Sequence, residues 1–220
     1  MNVTKTKATI AGVMAASATV AGTFAFTSAT AANSSTASAA VAGVQTKGEL
    51  NPLNNSGVTG NAKVHVQGER VHVEVNARGL AKKLPHAQHI HFGAQARHEC
   101  PSVADDTNGD FRLTTLEGAP AYGPVRVSLT TRGDTSADSV LAVDRFPTAN
   151  RGKINYARST TTSKAVARGI RNGNAIVVIH GVDYDHNGKY DFDSAGKSDL
   201  NPDLPAEATD PATCGVLNVE

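Results

Sequence analysis

Two stretches of strict alternation constrain this chain more than any other feature: Ala62-Lys63-Val64-His65-Val66-Gln67 and Val71-His72-Val73-Glu74-Val75-Asn76. Successive side chains of a strand point to opposite faces, so each stretch puts its valines on one face and its polar groups on the other. Gly68-Glu69 offers the turn between them, and the pair predicts an antiparallel hairpin with one buried face. His65 and His72 fall on the polar face and read as surface residues. Further strands are predicted at His89-Ile90-His91-Phe92, at Val125-Arg126-Val127-Ser128-Leu129 and at Gly215-Val216-Leu217. The unbroken apolar run Ala175-Ile176-Val177-Val178-Ile179, ending in His180, predicts a strand covered on both sides. Residues 163–171 predict a short helix with Ala165, Val166 and Ile170 on one face. Strands joined by Gly-rich turns predict an all-β sandwich or flattened barrel.

The first residues follow other rules. Lys5 and Lys7 precede an uncharged run, residues 8–26, and Ala29-Thr30-Ala31 supplies the small residues a signal peptidase requires. Residues 1–32 therefore read as a signal peptide cut near Ala31 or Ala32, and the product is expected to be secreted. Thr, Ser and Gly dilute the run too far for a stable membrane anchor. Residues 33–50 are rich in Ser, Ala and Thr and read as a flexible linker, which leaves 51–220 as one domain. Lys and Arg number 21 against 20 Asp and Glu, a balance that argues against a nucleic-acid partner. Aromatics at 5% argue against a base-stacking platform. Nothing in the sequence sets an oligomeric state. In an oxidising compartment the two cysteines, Cys100 and Cys214, are most simply one disulfide; two free thiols or one thiolate metal ligand are the alternatives.

Four of the eight histidines cluster: His86, His89, His91 and His98. Residues two apart on a strand share a face, so His89 and His91 can present two imidazoles to one ion. His180 ends the most apolar strand beside an acidic loop and is a reasonable third ligand. Imidazole suits copper, zinc, iron and nickel.

Residues 80–93, LAKKLPHAQHIHFG, resemble the H-x-x-H-x-H stretch of copper/zinc superoxide dismutases, placed as there after a two-strand hairpin and a Gly-Leu pair. Residues 175–180 resemble the strand that delivers a later copper histidine, and Thr213-Cys214-Gly215-Val216-Leu217 resembles the family's C-terminal Cys-Gly-Val segment. The resemblance covers roughly residues 60–217. It implies a Greek-key β-sandwich or flattened barrel with long metal-binding loops. It also implies copper on His89, His91 and His180, His86 as a structural neighbour, a Cys100–Cys214 bridge, and superoxide as substrate. The chain departs from the pattern in two places. No histidine lies between Glu99 and Ile179, so the zinc site and its bridging ligand are missing; His98 is a candidate fourth copper nitrogen outside the motif. Pro211 stands where the family keeps an anion-guiding arginine. His89-Ile90-His91-Phe92-Gly93 followed by Gly123-Pro124-Val125 also resembles chordin-type (CHRD) domains, which implies the same sandwich and leaves activity open.

Two acidic loops carry oxygen ligands at calcium-loop spacing. The first offers Asp106, Asn108, Asp110 and Glu117, with Phe111 where the sharp turn wants glycine. The second offers Asp183, Asp185, Asn187 and Asp191, with Gly188 at the turn and Ser194 in place of the closing glutamate. Asp, Asn and Gly are also simply good turn formers. Two functions are therefore expected as rivals: a secreted copper-dependent dismutase-like enzyme without zinc, and a non-catalytic extracellular module binding calcium or copper.

Overall fold

The computed structural model describes residues 42–220. The expected signal peptide, its cleavage point and residues 33–41 of the expected linker lie outside the described residues. The elements in chain order are β1 (Val44–Pro52), β2 (Thr59–Gln67), β3 (Arg70–Arg78), β4 (Gln88–His91), α1 (Thr115–Tyr122), β5 (Val125–Ser128), β6 (Lys153–Thr161), α2 (Lys164–Arg171), β7 (Ile176–His180), α3 (Ala206–Thr209), β8 (Pro211–Val216) and β9 (Asn218–Val219).

The strands form one antiparallel sheet in the order β5-β4-β7-β8-β1-β2-β3-β6, with β9 also on β1. The fold is thus all-β, a curled, flattened half-barrel. β1, β2 and β3 make a meander, and later strands return to both its sides, β6 beside β3 and β8 beside β1, in the Greek-key manner. The β2–β3 hairpin turns at Gly68-Glu69, pairing Gln67 with Arg70 and His65 with His72. Its valines, Val64, Val66, Val71, Val73 and Val75, are buried in the main core with Leu50, Ile90, Val177 and Ile179.

β1 joins the two halves of the sheet. Residues 44–50 pair with β2, while Asn51 and Pro52 pair with Cys214 and Thr213 of β8. A strand that changes partners in this way makes a corner. It also corrects the expected linker over residues 44–50, which belong to the first described strand. The buried face of β1 is Thr46, Gly48 and Leu50, so only one of its inward residues is a large hydrophobe.

α2 confirms the expected helix, capped by Ser163, whose side chain accepts from the Val166 amide at 3.3 Å. Its inward face is Ala167 and Ile170 with half-buried Val166; Ala165 points to solvent, contrary to the sequence reading. A disulfide joins Cys100 to Cys214. No helix among the described residues is long and apolar enough to cross a membrane.

Candidate metal centre

β4 and β7 lie side by side, His89 opposite Val178 and His91 opposite Ile176. Both strands are buried throughout. One face, Ile90, Val177 and Ile179, enters the main core. The other carries His89, His91, Ile176 and Val178, the last two packing with Tyr122 and Cys214 in a smaller cluster. The two-residue period therefore puts both imidazoles outside the barrel core but under cover. The same period puts His180 on the face of Ile176 and Val178, and the extra residue of the irregularity beside it, Ala212, belongs to β8. His180 joins the other two.

One nitrogen from each of His89, His91 and His180 lies within 4.8 Å of the others. Two nitrogens bound to one ion at about 2.0–2.1 Å stand up to about 4.2 Å apart, so little rearrangement makes this a coordination site. Backbone carbonyls take the remaining nitrogens. His89 Nε2 meets Val140 O at 3.1 Å, His91 Nδ1 meets Gly123 O at 2.8 Å, and His180 Nδ1 meets Thr209 O. A carbonyl only accepts, so each contact fixes the proton on that nitrogen and leaves a lone pair on the other. Those other atoms, His89 Nδ1, His91 Nε2 and His180 Nε2, are buried without any hydrogen-bond partner. Buried polar atoms are rarely left so, and three converging lone pairs are what a metal ion satisfies.

Burial sets the protonation state. Desolvation, followed by the nearness of His180, pushes His91 down to about 3, and desolvation takes His180 down to about 4. His89 falls well below the usual range for the same first cause, with His180 and His91 adding to it. All three imidazoles are neutral near pH 7, the form that ligates. Phe146 stands edge-on to His89 at 5.2 Å between ring centroids.

The remaining predicted residues divide clearly. His86 stays out of the trio but is fully buried, with Nδ1 2.8 Å from the His180 carbonyl and Nε2 3.1 Å from Ala81 O. His98 does not reach the centre: its Nδ1 meets Asn174 O at 2.9 Å, just before β7, whereas His180 ends that strand. The chain matches no protein-family model and no curated protein.

In the first acidic loop the carboxylates turn to the backbone. Asp106 accepts from the Gly109 and Phe111 amides, Asp110 accepts from the Arg112 amide, and Asn108 Oδ1 accepts from the Asp110 amide. Glu117 closes the capping box of α1 with Thr114. These acids do not converge on one point; the acidic group that does among the described residues is Asp183, Asp185 and Glu207. Asn187 bridges the second loop, its Nδ2 donating to Asp185 and Asp191 at 2.9 Å. Glu207, on α3, was not foreseen. Its fully buried carboxylate accepts from the Tyr184 and Asp191 amides, both at 2.9 Å, and from the Ser194 hydroxyl. Glu207 thus meets the second acidic loop from another segment, and no local spacing in the sequence announces it.

Proposed function

We propose that this is a copper-binding protein with a redox-capable three-imidazole centre, the reading its likeness to the copper/zinc superoxide dismutases implies. The observation that carries it is the trio of buried, neutral imidazoles, each fixed by a backbone carbonyl with its free nitrogen turned inward. Both cysteines are tied up in the disulfide and no carboxylate belongs to the trio, so the donor set is all nitrogen. Such a set follows the general affinity order that peaks at Cu(II) among the divalent ions. Copper held there would supply one-electron chemistry at an open coordination position. The chain's part is to hold the ring tautomers through Val140, Gly123 and Thr209, to keep water out with Phe146 and Tyr122, and to fix the His180 backbone through His86. The second acidic loop, with Glu207, is our calcium candidate. Export from the cell fits the disulfide.

A second reading, the non-catalytic chordin-type module, is favoured by one observation: no cationic side chain lines the approach to the trio. Metal analysis and superoxide dismutation on one purified sample, beside His89→Ala, separate the two. One tightly held copper with fast turnover, both lost in the variant, supports the dismutase. Copper without turnover supports the module. Absence of stoichiometric copper refutes both copper readings.

A further inference from the structure

The three free imidazole nitrogens do not look onto bulk water. His89, His91 and His180 line a cavity of about 170 Å³. Its other walls come from α1, from the segment around Val140, and from the residues leading into and through α3. Every lining residue is uncharged, and apart from the imidazoles, Tyr122 and two threonines every side chain is a hydrocarbon. Tyr122 offers no polar tip, because its hydroxyl donates to Thr115 O at 2.7 Å. Four aliphatic side chains at the cavity stay partly open to solvent: Leu116 (54% exposed), Leu141 (36%), Val143 (40%) and Leu200 (39%). The carboxylate at this edge, Asp199, accepts from the Leu116 amide at 2.8 Å.

We propose that this cavity binds a small, uncharged, largely apolar molecule no larger than a single six-membered ring, which meets the imidazole-held ion from the hydrocarbon side. The coordination half of the proposal rests on the metal reading above; the cavity half does not. An anion entering here sheds its hydration against hydrocarbon, finds no Lys or Arg, and passes a carboxylate at the edge. An apolar molecule loses nothing polar and gains burial. An aliphatic cavity of about 150 Å³ is enough to take up benzene. The site therefore selects against the anionic substrate that the dismutase resemblance implies.

Two probes test this on the full chain. Benzene is titrated into metal-free protein while the methyl resonances of Leu116, Leu141, Val143 and Leu200 are followed. Carbon monoxide is added to the Cu(I)-loaded protein, read by its infrared band, and azide to the Cu(II)-loaded protein, read by its absorption. The expected results are saturable one-to-one benzene binding confined to those methyls, one bound carbon monoxide, and weak azide binding. Leu116→Lys, at an exposed position that leaves the fold intact, is expected to tighten azide about tenfold and weaken benzene. Ala119→Leu, which fills the cavity, is expected to abolish benzene binding. Benzene binding without copper uptake upholds the cavity and refutes the metal reading. Copper uptake with neither benzene nor carbon monoxide bound overturns the proposal and leaves the metal reading standing. Azide binding equally tight in the native protein and in Leu116→Lys also overturns it.

Discussion

Glu207 and His180 are held by one four-residue helix. The Glu207 carboxylate gathers the amides of Tyr184 and Asp191 from the second acidic loop, and two residues later the Thr209 carbonyl receives His180 Nδ1. The loop's Val182 amide donates back to Glu207 O at 2.8 Å, closing the connection. Whatever orders the loop thereby steadies the histidine.

This connection sets the first prediction. Asp185→Ala, at an exposed position, is expected to weaken calcium binding and to lower copper affinity as well. Removing a direct outer partner of a metal ligand costs about 10–100-fold, so this more distant change should cost less. Competition titrations with and without calcium measure both constants. Copper affinity unchanged in the variant would break the connection.

Stability of the metal-free protein should depend on pH in a stated direction. His91 and His180, held near 3 and 4 by burial, and His89, held lower than usual for the same reason, all bind protons less readily folded than unfolded. The stability their neutral forms contribute is complete above the unfolded value of about 6.5 and is lost as pH falls below it toward 4 and 3. Urea melts between pH 7 and 4 should show a steep loss on acidification, and His91→Gln should flatten the slope. An apo-protein equally stable at pH 7 and pH 5 would contradict the burial.

The Cys100–Cys214 bridge, half-buried at Cys100 and fully buried at Cys214, should matter to both stability and the site. It joins residues 114 apart in sequence, and Cys214 packs under Tyr122, Ile176 and Val178 behind the histidines. Opening it in a Cys100→Ser, Cys214→Ser double variant is expected to lower stability by about 2–5 kcal/mol in denaturant melts. Metal affinity should fall with it, since Tyr122 stands 4.6 Å from the ring of His91.

The walls around the trio also bear on oxidation state. A doubly charged ion loses more on leaving water than a singly charged one, and neither carboxylate nor thiolate offsets that loss here. Cu(I) is expected to be favoured over Cu(II), with a midpoint potential above that of copper free in water. Spectroelectrochemistry gives the number; a potential at or below the aqueous value would sink this prediction.

Much of this was legible because period two is a strong signal. The β2–β3 register could be read from its valines and its Gly68-Glu69 turn, and the same rule brought His89 and His91 to one face. β1 escaped because Thr46 and Gly48 occupy inward positions, and β6 because its alternation passes from Ile154 and Tyr156 to Arg158 and Thr160. α1 escaped behind the loop that precedes it, with Gly118 and Pro120 inside it. The carbonyls that orient the imidazoles carry no side-chain signature. Glu207 and the cavity were invisible for a different reason: their parts meet only after segments distant in sequence have packed together.

β8 lies between β7 and the corner strand β1, and the Thr209 carbonyl comes just ahead of it. His89 and His91 lie on β4, yet their third companion is not oriented until the segment that carries Thr209 has packed. Ordering of the third imidazole therefore waits on α3 and β8 folding against β7, so the trio is a product of the packed sheet and not of β4 alone.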